Sequence, residues 1–152
     1  AKPPVFGAEM TNVDPILSDD AKALFETRGV GELAERMGVK LVELSAERAI
    51  ATMPVEGNRQ PLGLLHGGAY VVIAESLGSM AANVWAYPKG KFAVGIEVNA
   101  SHSSSAREGQ VTATCEAITL GNTLTVHQIK IEDEKGTRLS TVRITNLLRD
   151  RR

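Results

Sequence analysis

The stretch Leu64-Leu65-His66-Gly67-Gly68-Ala69-Tyr70-Val71-Val72-Ile73-Ala74-Glu75-Ser76-Leu77-Gly78-Ser79-Met80-Ala81-Ala82 holds one carboxylate within a run of small and apolar side chains that continues to Trp85. No polar stripe interrupts the run after Ala69, and a helix that is apolar all round is one that other elements cover. An ionised carboxylate is expensive to bury without partners, so Glu75 needs a reason to be there. Chemistry is one such reason, since carboxylates with perturbed pKa values gather in active-site clefts. A structural glutamate bonded to backbone, or to Ser79 one turn later, is the plainer alternative.

Outward from this helix the periodicity changes in an orderly way. Pro88-Lys89-Gly90 ends it, and the loop Glu56 to Gly63, with Gly57 and Pro61 inside, leads into it. Val39 to Leu44 and Arg48 to Val55 read as strands around the turn Ser45-Ala46-Glu47. After the helix Val94, Ile96 and Val98 alternate, as do Val111, Ala113 and Cys115. Strands near 122–132 and 138–148 follow, joined by Asp133-Glu134-Lys135-Gly136. These four strands read as a meander. Asp19 to Met37 carries apolar residues at helical spacing broken by Gly29 and Gly31, which predicts one or two short helices capped by Ser18 or Asp19. The expected architecture is α+β, a curved antiparallel sheet wrapped around one long buried helix. Residues 1–37 form an N-terminal extension with short helices and 38–150 the wrapped unit, within a single domain.

Bulk properties narrow the function. The 152 residues suffice for a real core. A net charge of −1, from 17 basic and 18 acidic residues, gives no nucleic-acid signature. Cys115 is the sole cysteine and sits on the apolar face of a strand, which points to a core residue in a reducing compartment. The longest apolar run carries Glu75 and several glycines, unlike a membrane span. Ala1-Lys2-Pro3-Pro4-Val5-Phe6-Gly7 lacks a signal-peptide core, so a cytoplasmic chain is expected. Three scattered histidines and one cysteine make no metal pattern, no cofactor is expected, and the glycines lack a phosphate-loop ending. His127 lies mid-strand with no catalytic neighbours and reads as structural. The sequon at Asn99-Ala100-Ser101 has no role in a cytoplasmic chain.

The run Gln60-Pro61-Leu62-Gly63-Leu64-Leu65-His66-Gly67-Gly68-Ala69, followed by Ala74-Glu75-Ser76 and Gly78-Ser79, resembles the hotdog-fold acyl-CoA thioesterases. The likeness is to the branch that contains 1,4-dihydroxy-2-naphthoyl-CoA hydrolase, the enterobactin-pathway proofreading thioesterase and 4-hydroxybenzoyl-CoA thioesterase. It spans about residues 45–148 and includes Ala51 to Val55, Ser105 to Gly109 and Asp133 to Gly136. The resemblance implies Glu75 as nucleophile or general base, the Gly67 N–H as oxyanion donor and Gln60 on the thioester oxygen. It gives His66 the loop or the polarisation of the site, and Ser79 the attacking water. It further implies substrate contacts at Gly95, His102, Ser103, Ser104, Ser105, Gly121 and Asn122. Implied too are an aromatic acyl-CoA substrate, menaquinone biosynthesis as the first setting, and a dimer-of-dimers homotetramer. Tyr70, Met80, Val84 and His102 are the expected gate of the acyl pocket.

The residues themselves fit that chemistry. Thioester hydrolysis needs an activated nucleophile and donors for the developing oxyanion. Gly67 and Gly68 open the helix, where unpaired N–H groups and the positive dipole end would face a carbonyl. Glu75 lies eight residues later, about 12 Å along a helix at ~1.5 Å per residue, too far for both to serve one carbonyl from one chain. Two antiparallel copies would bring them together, which predicts shared sites. The resemblance implies one arginine where this chain has Ser104 and another near Thr123, toward the coenzyme A phosphates; either Arg107, Lys89 or Lys91 replaces them or the nucleotide part is held loosely. Two other readings stand beside this one: a hotdog dehydratase and a non-catalytic acyl-CoA-binding protein.

Overall fold

The computed structural model describes residues 14–152. The reading of Ala1 to Gly7 lies outside the described residues. The elements are β1 (Ile16–Leu17), α1 (Asp19–Arg28), α2 (Glu32–Arg36), β2 (Lys40–Leu44), β3 (Arg48–Pro54), α3 (Gly67–Ala86), β4 (Lys91–His102), β5 (Gln110–Leu120), β6 (Leu124–Glu132) and β7 (Arg138–Asp150). Ser18 caps α1 by accepting from the Ala21 N–H, as its position before the helical pattern predicts. A 3-10 turn over Tyr87–Lys89 ends α3, and Gly90 there takes φ 71°. That left-handed conformation suits glycine and sends the chain back as β4.

The seven strands form one sheet in the order β1-β2-β3-β5-β6-β7-β4, antiparallel except for the short β1–β2 pair. The expected four-strand meander is therefore corrected. β5, β6 and β7 do meander, but β4 pairs with β7 at the far edge, because the chain crosses over after His102 and returns beside β3. Register shifts at Leu41/Glu43, Gly95/Glu97, Ala117/Thr119 and Ile131/Glu132 interrupt the ladder. Each such bulge bends its strand, and together they curve the sheet around α3.

The concave face supplies Met53, Val111, Cys115, Ile129, Ile131, Val142 and Ile144, all fully buried. They meet Ile73, Ala74, Leu77 and Ala81 of α3. Gly78 allows the closest approach: a Cβ there would fall inside the Ile144 side chain. His127 is fully buried and its Nε2 bonds the Ala46 carbonyl at 2.8 Å, so it ties β6 to the β2–β3 turn. Burial pushes its pKa down. Burial likewise pushes the Cys115 thiol up to about 12, as befits an inert core residue.

α3 is wrapped on one side only by its own chain. Gly68, Val71, Val72, Glu75, Ser76, Ser79, Met80 and Asn83 are exposed or half-buried, and their spacing of three to four makes one continuous open stripe. Glu75 is exposed on that stripe, not enclosed within its own subunit.

Candidate active site

The predicted site residues fall at three stations along α3. The first is its N-terminus. His66 is the N-cap, and its Nδ1 accepts the Gly68 N–H at 2.8 Å. Its carbonyl takes the Ala69 N–H at 2.9 Å. Gly67 is thereby singled out, because its N–H has no acceptor among the described residues. The loop that delivers His66 is pinned by Asn58, whose side-chain Nδ2 donates to Met37 O at 2.7 Å and Pro54 O at 2.8 Å while its backbone carbonyl accepts from His66 N. Nothing in the sequence marks Asn58 for this task. Gln60 sits in the same loop with Oε1 accepting from Leu62 N, which leaves the Nε2 donors uncommitted.

His102, from the end of β4, belongs to this first station. A Cβ on Gly67 would come within 3.1 Å of His102 Nε2, so the missing side chain is what lets the imidazole lie against the helix start. Nδ1 of His102 bonds Ser140 Oγ at 2.8 Å, and the ring lies 5.0 Å from that of Tyr70. Tyr70 is buried, and burial pushes its phenol up; the Ala106 amide approaches Oη without reaching hydrogen-bond geometry. Ser103, Ser104 and Ser105 follow as an exposed segment whose Ser103 and Ser104 amides donate to Leu139 O.

The second station surrounds Glu75. Its Oε1 lies 3.2 Å from the point where a Gly95 Cβ would be, so the β4 bulge and its glycine make room for the carboxylate. Opposite Gly95 in the ladder is Asn146, fully buried, whose Oδ1 accepts from Ser79 Oγ at 3.4 Å. Ser79 lies one turn after Glu75 on the same stripe, and Asn146 is a neighbour the sequence did not reveal. The third station is the C-terminal end of α3. Trp85 Nε1 donates to Gly121 O at 2.8 Å and Lys91 Nζ to Asn122 O at 2.9 Å. Lys89 Nζ stacks 3.3 Å above the Trp85 ring. Two lysines therefore cluster at the turn that carries Gly121, Asn122 and Thr123.

The expected acyl gate divides between stations. Tyr70 and His102 pack together at the first, whereas Met80 and Val84 line a cavity against α1. Among the described residues no group of three or more His, Cys, Asp or Glu could hold a metal, and no helix is long and apolar enough to cross a membrane.

A family profile, the thioesterase superfamily, matches residues 62–140. The chain is 41% identical to the 1,4-dihydroxy-2-naphthoyl-CoA hydrolase of Escherichia coli over 121 residues, 79% of this chain and 88% of that protein. A thioesterase from Haemophilus influenzae superposes with a TM-score of 0.76 at 32% identity, over 86% of this chain and 90% of the other. A Staphylococcus aureus thioesterase, solved as a glutamate-to-alanine and as a glutamine-to-alanine variant, gives TM-scores of 0.74 at 31% and 30% identity, covering 78% and 77% of this chain and 98% of its own. With a helix wrapped by a curved sheet and these likenesses across most of its length, the chain belongs to the thioesterase superfamily: it is a hotdog-fold thioester hydrolase.

Proposed function

We propose that the protein hydrolyses an aromatic acyl-CoA at a site shared between two copies of the chain. The observation that carries this reading is the division of α3. The free Gly67 N–H heads the open stripe and Glu75 stands midway along it. They are about 12 Å apart along the helix, while base and oxyanion donor must both come within roughly 3 Å of one carbonyl. A second α3 laid antiparallel on the stripe pairs position 67 with position 75 about a two-fold axis at position 71. Val71 and Val72, apolar and half-buried, occupy that axis, and the β4 edge beside it exposes Ile96 at 55%. A dimer of such dimers, working in the cytoplasm, completes the reading.

In this site Glu75 takes a proton from a water as the water oxygen adds to the thioester carbon. Ser79 donates to Asn146, so its lone pairs are left to accept from that water. The oxyanion meets the Gly67 N–H of the partner subunit and the Nε2 donors of Gln60, and the His66 cap keeps Gly67 aimed. Collapse expels the thiolate, which recovers the proton, and the products are a carboxylic acid and coenzyme A. In the Staphylococcus aureus enzyme the two substituted positions, glutamine then glutamate, are 15 apart, and Gln60 and Glu75 have that same spacing.

The carrier lies along Ser103 to Ser105 and the Gly121–Asn122 turn, with Lys89 and Lys91 in place of the arginine that relatives have near Thr123. His102 and Gly95 line the path of the acyl thioester. The relative's name makes 1,4-dihydroxy-2-naphthoyl-CoA, and hence menaquinone biosynthesis, one candidate; benzoyl-type thioesters are the other. The test is thiol release from an aroyl-CoA panel by wild type and Glu75→Gln. Loss of about 10²–10⁴ in kcat, with assembly intact, is expected for removal of an acid–base group. Near-normal turnover would remove Glu75 from the mechanism, and solvent oxygen appearing in the Glu75 carboxylate during a first turnover would make it the nucleophile.

A further inference from the structure

The family profile begins at residue 62, yet α1, from outside it, shares a cavity with α3. Leu24, Phe25 and Arg28 form one wall of this cavity, and Ser79, Met80 and Val84 are on the other. Leu24 is buried, Phe25 half-buried and Arg28 exposed, so the wall runs from an apolar floor to a cationic rim. Arg28 has no ion-pair or hydrogen-bond partner among the described residues. The cavity volume is about 120 Å³. It is open on one side, and since an apolar cavity of roughly 150 Å³ accepts benzene, it has room for about one ring.

We propose that α1 forms the far wall of the acyl pocket, with Leu24 and Phe25 limiting it to a single aromatic ring and Arg28 at its rim recognising an acidic oxygen carried by that ring. This rests on the active-site reading above, because Ser79 is common to the cavity and to the water-holding station beside Glu75. An acyl group whose carbonyl is attacked beside Ser79 enters this cavity directly. Its ring packs on Phe25 and Met80, and a guanidinium at the rim offers paired donors to a carboxylate or phenolate. The helix that bears the selecting residues thus lies outside the segment that bears the reacting ones. Of the two candidate acyl classes this favours the benzoyl-type thioester, since a fused second ring would meet Phe25.

The test measures kcat/KM by thiol release for benzoyl-CoA, 4-carboxybenzoyl-CoA and 2-naphthoyl-CoA, with the assembled wild type, Arg28→Gln, Phe25→Ala and Phe25→Leu. Arg28→Gln should lower the 4-carboxybenzoyl to benzoyl ratio about tenfold or more, as loss of a charge-assisted contact does. Phe25→Ala should raise the naphthoyl to benzoyl ratio by about tenfold. Phe25→Leu, which keeps an apolar contact with α3, should raise it less and serves if the alanine variant fails to fold. Unchanged ratios would overturn the proposal. An equal fall for every acyl group with Arg28→Gln would also overturn it, because the cation would then contact the carrier. Glu75→Gln run alongside separates the two levels: an active Glu75→Gln refutes the active-site reading, and an inactive one with unmoved ratios refutes the α1 wall alone.

Discussion

Mixing two inactive variants tests the shared site most directly. In the proposed mechanism Glu75→Gln removes the base, and Gly67→Pro removes the N–H assigned to the oxyanion. The proline fits the backbone: it falls at the first helical position, where proline is tolerated, and His66 before it already has φ −62° and ψ 132°, the extended conformation that a following proline requires. Its Cβ would come within 3.1 Å of His102 Nε2, so the imidazole must yield by a few tenths of an ångström. Each variant alone carries its lesion in both sites of its dimer. In a mixed dimer both lesions fall in one site and the other is intact. Random exchange of equal amounts makes about half of the dimers mixed, each with one of two sites working, so roughly a quarter of wild-type specific activity should return. The assay is thiol release after refolding the mixture, with exchange verified by mass-tagged subunits. Verified exchange without recovered activity would refute the composite site, since a site within one chain recovers nothing by mixing.

Three further outcomes are expected. Val71→Cys, placed on the proposed two-fold axis, should cross-link two subunits on mild oxidation; Cys115, with its thiol pushed up to about 12 and fully buried, should take no part, and a monomer on a non-reducing gel would move the axis elsewhere. Because burial lowers the His127 pKa below its unfolded value, the unfolded chain binds the extra proton as pH falls through about 6.5, and stability should decline below that point by up to ~1.4 kcal/mol per pH unit. Urea midpoints at pH 7.5 and 5.5 measure this, and a His127→Gln variant with an unchanged pH slope would assign the effect to other groups. Gly78→Ala should lower stability by about 1–3 kcal/mol through overpacking against Ile144; thermal melts check it, and a variant as stable as wild type would show that the helix moves off the sheet freely.

Local chemistry explains which features could be read from the chain. The ends of α3 are written in His66-Gly67 and Pro88 to Gly90, and the β6–β7 turn in Asp133 to Gly136, where Asp133 Oδ1 accepts from the Lys135 and Thr137 amides. The placement of β4 beside β7 is not local: the alternation of Val94, Ile96 and Val98 says that a strand exists and nothing about its neighbour. Glu75 looked enclosed because the apolar run around it is continuous, yet the faces of α3 that its own sheet cannot reach leave the same pattern as buried ones. Gly67 and His102 are 35 positions apart and meet only because a glycine leaves room for an imidazole. Asn146 and Asn58 gave no signal, since one polar residue in a strand or a loop is ordinary until its partners are known.

The position of β4 also sets an order of events during synthesis. Its backbone is complete at His102, but among the described strands its one hydrogen-bonded neighbour is β7, which ends at Asp150. Chains emerge N-terminus first. While the ribosome works through β5 and β6, the Gly95 strand that backs the long helix still has no neighbour to hold it. The seat of the Glu75 carboxylate is therefore among the later parts of the described fold to form, and a chain that stops before Asn146 keeps most of its core residues but leaves the Gly95 strand without its partner.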